Sequence, residues 1–174
     1  MRTFTATDAN AYKGLARNWA STVTVVTAKR KAEFLEACVP EQDGYTATAF
    51  LTISIDPPII LVSPTNGGSA YSLLAETEHF AVSILASDQQ PIADAFAKPS
   101  SERVANWDTF AWRADQNGSP ILEGSLGAFS AKIRQLIPAG DHTIVLGDVT
   151  EIHHGEAGEP LMYFNRAYGK PGSL

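Results

Sequence analysis

The chain has 174 residues and a mass of 18.6 kDa, with 44% hydrophobic and 18% charged residues. This composition is typical of one globular domain over residues 1–174 and excludes a disordered or fibrous chain. Thirteen Lys and Arg against nineteen Asp and Glu give a formal net charge of −6. Because nucleic acid-binding surfaces are normally basic, we expect no nucleic-acid partner.

Cys38 is the only cysteine, which excludes an internal disulfide, a CxxC redox pair and a cysteine-based zinc site. The N-terminal residues lack the apolar segment of a signal peptide. No run approaches the roughly 18 apolar residues that cross a bilayer. We therefore expect a cytoplasmic protein without a membrane partner.

The chain begins with a helical pattern and then becomes rich in strand-forming residues. Apolar residues three and four apart predict an amphipathic helix over residues 8–19, with Thr7 or Asp8 as its N-cap. Val, Ile and Thr predict strands over residues 22–28, 45–55, 59–63, 80–85, 128–137, 142–152 and 161–164. Short helices are predicted over residues 69–76 and 88–97, with caps at Ser69 and Ser87 and with Gln90 at a capping-box position. This mainly β pattern with short helices predicts an antiparallel, Greek-key-like barrel with helices at its rim.

Residues 29–42 (KRKAEFLEACVPEQ) form an inserted segment between two predicted strands and are long for a hairpin connection. Their central sequence, AEFLEACV, predicts a short helical excursion. Two interpretations stay open for this segment, a solvated hairpin tip or a lid that also docks a partner.

Familiar catalytic motifs are absent from the sequence: it has no GxGxxG, P-loop, HExxH, GxSxG or EF-hand loop. None of the four histidines has a helix-spaced partner, so we expect no metal site; they are His79, His142, His153 and His154. The sequence also shows no spacing of an acid, a base and a nucleophile that is typical of a catalytic triad.

Two segments carry organised polarity. Residues 44–50 (GYTATAF) alternate small and hydroxyl side chains, which leaves backbone groups open to the edge of a flat heteroaromatic ring. Thr46 and Thr48 are expected on one face of this strand. Residues 63–69 (SPTNGGS) place glycines and hydroxyls before a predicted helix, which can hold a phosphate. A Thr-rich strand and an ordinary capped turn are the structural alternatives.

Several motifs occur in a fixed order, and together they carry a family resemblance. They are residues 46–50 (TATAF), 54–58 (SIDPP), 66–69 (NGGS), 96–97 (FA), 140–142 (GDH), 147–149 (GDV) and 161–164 (LMYF). This series resembles the short-chain NAD(P)H:flavin reductases, the reductase components of two-component flavin-dependent monooxygenases, and the resemblance covers residues 8–170. The resemblance implies a homodimeric FMN-binding split barrel. It also implies reduction of FMN or FAD by NADH or NADPH, with transfer of the reduced flavin to a transient monooxygenase partner.

The same resemblance implies a role for individual positions. It implies that Thr46, Ala47, Thr48 and Ala49 contact the isoalloxazine edge. It implies that the ribityl phosphate is bound by Ser63, Thr65, Asn66 and Ser69, and that the flavin tail is contacted by Ala97, Lys98 and Arg103. His142 is implied as the catalytic residue that orients the nicotinamide, and the pyridine nucleotide also meets Arg166 and Tyr168.

The sequence departs from the family pattern in four places. Tyr45 stands where the family often has a smaller aliphatic residue, Ala131 replaces a common cysteine, no aromatic follows Arg103, and residues 29–42 have no counterpart in compact members. Alternative roles also stay open for single residues. His142 could be a histidine at the end of a strand that hydrogen-bonds to Asp141 or to the backbone. Lys98 and Arg103 could lie at a solvated helix end.

Three other functions stay open beside the favoured one. The chain could be an electron carrier that keeps its FMN, a reductase of a ferric complex or a corrin, or a β-barrel module without a cofactor. A flavin that exchanges freely during turnover distinguishes the reductase from all three.

Overall fold

The computed structural model describes residues 3–35 and 39–172, with the backbone alone for residues 104–106. The α-helices of this part are α1 (Ala9–Ala16), α2 (Ser69–Ala75), α3 (Gln90–Phe96) and α4 (Ser100–Arg103), and 3-10 helices cover Ala32–Phe34 and Val104–Thr109. The strands are β1 (Ser21–Thr22), β2 (Thr24–Lys29), β3 (Gln42–Ala47), β4 (Phe50–Ile55), β5 (Pro58–Val62), β6 (His79–Ile84), β7 (Trp112–Ala114), β8 (Pro120–Leu122), β9 (Gly127–Ala139), β10 (His142–His154), β11 (Met162–Phe164) and β12 (Ala167–Gly169). No helix among these residues has the length and apolarity that a membrane span needs.

Seven antiparallel strands form one sheet in the order β3-β2-β6-β9-β10-β5-β4. Its two end strands, β3 and β4, are consecutive in the chain and are separated only by Thr48 and Ala49. Three Cα steps span at most about 11 Å, so the sheet must curl until its ends approach each other. The ends do not pair, and the barrel is therefore split at this point. The predicted mainly β split barrel is confirmed.

Two apolar clusters pack on the two sides of strand β2. Val26 and Val82 pack with Leu73 and Leu74 of α2 inside the barrel. Val25, the next residue along β2, packs on the opposite side with Phe96 of α3. Successive strand residues face opposite sides, so a strand with a core on each side is apolar throughout instead of alternating. This explains the run TVTVVTA in the sequence.

Helix α1 forms at the predicted place but is shorter and more exposed than the pattern suggests. Asp8 is its N-cap, as predicted, because Asp8 Oδ1 accepts hydrogen bonds from the backbone N–H groups of Asn10 and Ala11. The helix ends at Ala16 and buries none of its residues. Its apolar stripe is open to solvent, with exposed fractions of 74% for Tyr12, 75% for Leu15 and 78% for Trp19.

Several local predictions are wrong. The strand predicted over residues 45–55 is two strands, because the barrel opens at Thr48 and Ala49. Neither Ser69 nor Ser87 caps a helix: Gly68 and Gln89 occupy the N-cap positions, and Gln90 is the first residue of α3 instead of a capping-box partner. The β7–β8 hairpin, α4 and β12 have no counterpart in the predicted elements.

The inserted segment contains one short turn in the part that the structure describes. The 3-10 helix Ala32–Phe34 replaces the predicted helical excursion, and residues 36–38, including Cys38, lie outside the described residues. At the base of the segment, the Arg30 N–H donates to the carbonyl of Glu41, and Lys29 forms an ion pair of 2.9 Å with Glu41. The segment is therefore closed at its base like a hairpin.

Candidate functional site

A cavity of about 990 Å³ opens where the barrel is split. It lies between the end of α1, the β3–β4 break and the β11–β12 hairpin, and its size is typical of small-molecule sites. Thr48 and Ala49 line it at the break, while Trp19 and Tyr163 contribute aromatic rings. Hydroxyl residues are numerous in the remaining lining, but its apolar surface exceeds its polar surface, so the cavity suits a large flat ligand.

Three basic residues line the cavity: Lys13, Arg17 and Arg166. Its described lining contains no Asp or Glu, and among the described residues none of these three side chains forms an ion pair. In a chain with a net charge of −6, this is a locally positive concave surface. The cavity therefore favours an anionic ligand.

The β11–β12 hairpin places Arg166 at the cavity. Its two-residue turn has positive φ at both central positions, 46° for Asn165 and 67° for Arg166, the combination found in type I′ turns. The Asn165 N–H donates to the carbonyl of Arg17 over 3.0 Å, which joins the turn to the end of α1. An arginine held in the left-handed region is strained by about 1–2 kcal/mol, a feature that is concentrated at functional sites.

The loop of residues 63–69 is clamped to the turn between β9 and β10. The Asn66 side chain donates to the carbonyl of Gly140 over 3.2 Å and accepts from the Thr143 hydroxyl over 2.7 Å, while its N–H donates to the carbonyl of Asp141. At Gly67, nothing lies within 4 Å of the position that a side chain would occupy. The loop is therefore fixed in place while its backbone stays open to a ligand.

His142 lies at the start of β10 with its side chain 42% exposed. Its Nδ1 is 2.7 Å from Asp141 Oδ1 and its Nε2 is 3.2 Å from Thr65 Oγ1. Because a carboxylate only accepts, Nδ1 carries a proton, and in the neutral ring Nε2 accepts from the Thr65 hydroxyl. The hydrogen bond and charge of His142, with a smaller contribution from Lys13, lower the pKa of Asp141.

Arg103 is buried and is not a solvated helix end, so that alternative is wrong. Its guanidinium, 4% exposed, meets both carboxylate oxygens of Asp43 at 3.1 Å, and Nη2 also donates to the Ser69 hydroxyl. Its Nη1 donates to the carbonyl of Lys98 over 2.6 Å. Arg103 therefore fixes both Ser69 and the chain that follows α3.

The predicted flavin and nucleotide residues fall into separate groups. Those that line the cavity are Thr48, Ala49 and Arg166. Those that lie along the clamped loop and its partner turn are Ser63, Thr65, Asn66, Ser69 and His142. Ala97 and Lys98 are exposed after α3, and Tyr168 packs against Tyr163 with ring centroids 5.2 Å apart.

Thr46 and Ala47 end strand β3 and do not share a strand with Thr48, so the expectation of one common face is wrong. The Thr46 hydroxyl donates to the carbonyl of Ala93 in α3 over 2.6 Å. Tyr45 is packed in the barrel core, where burial raises the pKa of its hydroxyl. The barrel opening, and not a continuous strand, decides which of these side chains reaches the cavity.

The motif series does not identify three residues that the structure places at or near the site, which are Lys13, Arg17 and Asp43. The sequence does indicate the first two, because a spacing of four residues places both cations on one face of a predicted helix. Asp43 has no local signal, since its partners Arg30, Ser100 and Arg103 come from distant parts of the chain.

Among the described residues, no group of three His, Cys, Asp or Glu side chains is arranged as metal ligands. His153 is held by protein groups instead. Arg113 donates to its Nδ1 over 3.0 Å, so the ring is neutral with its proton on Nε2, which lies 3.0 Å from the Ser130 hydroxyl. Both ring nitrogens of His153 therefore have protein partners, which indicates a structural role.

Comparisons with known proteins agree with the fold. The family described as "Flavin reductase like domain" matches residues 16–172. The NADH:FMN oxidoreductase of Rhodococcus qingshengii is 35% identical over 135 residues, which cover 75% of this chain and 69% of that protein. The reductase component of 4-hydroxyphenylacetate 3-monooxygenase from Thermus thermophilus is 32% identical over 158 residues, which cover 91% of this chain and 93% of that protein. The solved NADH:FAD oxidoreductase SgcE6 of Streptomyces globisporus has a TM-score of 0.84 at 26% identity, covering 97% of this chain and 96% of that chain. The resemblance carried by the ordered motifs is thus confirmed, and the chain belongs to the flavin reductase-like family.

Proposed function

We propose that the chain is an NAD(P)H:flavin oxidoreductase that reduces FMN or FAD and supplies the reduced flavin to a flavin-dependent monooxygenase. One observation carries the proposal beyond family membership. The described lining of the cavity combines cations, aromatic rings and an exposed small-residue segment, but it contains no carboxylate, imidazole or thiol. Such a site suits a reaction in which two bound rings carry the chemistry and the protein supplies position and charge.

The cavity and the clamped loop fit a flavin and a pyridine nucleotide. With both bound, the nicotinamide supplies a hydride to the isoalloxazine ring. Thr48 and Ala49 are exposed and lie outside both strands. The Ala49 carbonyl accepts from the Ser63 N–H over 3.2 Å, so the Thr48 backbone and the Ala49 N–H are the groups that would pair with the edge of a ring. Thr65, Asn66 and Ser69 would hold the ribityl phosphate in a loop that is already fixed, which lowers the entropy lost on binding. Lys98, exposed beside the same network, would approach the flavin tail.

His142 would orient the nicotinamide, and its replacement tests this role. We expect His142→Ala to raise the KM for NADH roughly tenfold, the loss of one hydrogen bond to a charged or polarised group. The affinity for FMN should stay within about twofold of the wild type, because Asn66 still clamps the loop through Gly140 and Thr143. Steady-state kinetics and flavin fluorescence titration measure the two effects. His154→Ala, an exposed position on β10, is the matched control, and equal losses for both ligands would contradict the role of His142.

We also propose that two copies of the chain associate through α1 and β4. An eight-residue helix that buries none of its side chains is marginal in water and needs an outside contact. The exposed stripe of Tyr12, Leu15 and Trp19 is joined by exposed side chains of β4, including Ile55 at 95%. Trp19 and Leu51 also line the cavity, so a second copy seated here would help to close it.

The double variant Leu15→Glu/Ile55→Lys should convert a dimer into a monomer, because it places charges in an apolar contact. Sedimentation velocity should give twice the chain mass for the wild type and the chain mass for the variant. Ile152→Lys, an exposed apolar position on β10, should remain dimeric. A monomeric wild type would contradict the proposed association.

A further inference from the structure

Lys13 and Arg17 lie on one side of the cavity and are spaced by one helical turn. Residues four apart on a helix share a face, so both side chains can address the same ligand. Arg166 lies across the same cavity on the β11–β12 turn. The three cations therefore come from two elements that are far apart in the sequence.

The two elements are held together by backbone contacts. The Asn165 N–H bonds the carbonyl of Arg17, which fixes the hairpin turn against the end of α1. Arg17 is the C-cap of the helix and is half-buried, so its stem has little freedom. The spacing between Arg17 and Arg166 is therefore set by the fold before any ligand arrives.

Most other described basic side chains are neutralised by the protein, and these three are not. Lys29, Arg30, Arg103, Lys132, Arg134 and Lys170 all pair with carboxylates. Lys13 contributes to the lowered pKa of Asp141 but forms no ion pair with it. Asp141 is exposed, is hydrogen-bonded to His142 and does not line the cavity. Unpaired like charges around one concave surface repel each other, and an anion placed among them removes that repulsion.

The surroundings of the cations indicate which anion they fit. Trp19 and Tyr163 lie in the same lining, together with apolar side chains that include Phe50 and Leu61. A phosphate alone would use the charges but not the rings. A dinucleotide has a doubly charged diphosphate between two flat heterocycles, which matches cations between aromatic and apolar surfaces.

We propose that Lys13, Arg17 and Arg166 bind the diphosphate of the pyridine dinucleotide, so that α1 is part of the nucleotide site. The proposal depends on the proposed function for the identity of that dinucleotide. The ribityl phosphate of the flavin then remains with the clamped loop of residues 63–69, on a separate set of groups. The new roles fall to Lys13 and Arg17, because the motif series does not include α1.

Calorimetric titration with ADP-ribose, which has the diphosphate but no nicotinamide, tests the proposal without turnover. The full chain carrying Lys13→Gln/Arg17→Gln should bind ADP-ribose at least roughly tenfold more weakly than the wild type. Raising the salt concentration should weaken wild-type binding more than binding to the double variant. Lys31→Gln, an exposed lysine outside the cavity, should bind like the wild type. Equal melting temperatures are expected, since neither substitution removes a buried side chain.

A parallel titration with riboflavin, FMN and FAD separates the possible phosphate sources, because FAD also carries a diphosphate. All three flavins should bind the double variant and the wild type equally. Weaker binding of FMN or FAD to the double variant would overturn the proposal and assign the cations to the flavin phosphates. Unchanged binding of all four probes would also overturn it. Because these titrations need no catalysis, failure of the proposed activity would leave their outcome interpretable.

Discussion

Asp43→Asn should lower the free energy of unfolding by about 3–5 kcal/mol, the usual effect of breaking a buried ion pair from one side. The Asp43 carboxylate is fully buried, and both of its oxygens pair with Arg103. It also accepts from the Ser100 hydroxyl over 2.7 Å, and Arg30 approaches to 3.8 Å. The neutral amide would leave the buried Arg103 guanidinium without a counter-charge, whereas Arg30 would keep its ion pair of 2.8 Å with Glu76.

Thermal unfolding measures this effect as a fall of about 10 °C in the midpoint. Glu78→Gln is the control, because it removes the exposed Glu78–Lys132 pair, from which no measurable change is expected. Loss of Asp43 should also weaken FMN binding more than riboflavin binding, since Arg103 positions the Ser69 hydroxyl. A variant that melts with the wild type would show that the network does not support the fold.

Arg166→Gly should change stability and nucleotide use in opposite directions. Glycine accepts the positive φ of 67° without strain, so the melting midpoint should rise by about 2–4 °C. The same change removes a cation from the cavity, and the KM for NADH should rise roughly tenfold. A gain in stability that accompanies a loss of nucleotide binding is expected where a strained residue is kept for its function.

Arg166→Lys separates the two effects, because it keeps both the charge and the side chain that strains the turn. Its melting midpoint should equal that of the wild type, and its KM for NADH should rise by no more than about threefold. An Arg166→Gly variant that is stabilised but retains the wild-type KM would remove Arg166 from the nucleotide site.

Local chemistry is sufficient to predict much of the fold. Asp8 caps α1 because an aspartate before a helix bonds the free N–H groups there, and the Val- and Thr-rich runs become strands. The break at Thr48 and Ala49 cannot be predicted this way, because every residue from 45 to 55 tolerates a strand. That break exists because the ends of a seven-stranded sheet must meet without pairing, which is a property of the whole barrel.

The candidate site divides in the same way. The loop of residues 63–69 is visible in the sequence because glycines and hydroxyls precede a helix. The burial of Arg103 is not visible, because Asp43 lies far away in the chain and no pattern links the two. The meeting of Arg17 with the β11–β12 hairpin is equally hidden, since one backbone hydrogen bond between distant residues creates it.

A reductase of free flavin must release its flavin after reduction. Anaerobic stopped-flow absorbance, with catalytic protein, NADH or NADPH, and excess FMN or FAD, measures this release. We expect bleaching of many equivalents of free flavin per chain, with a rate proportional to protein concentration. Bleaching that stops at one equivalent of flavin per chain would show instead that the protein keeps its flavin and would contradict the proposed function.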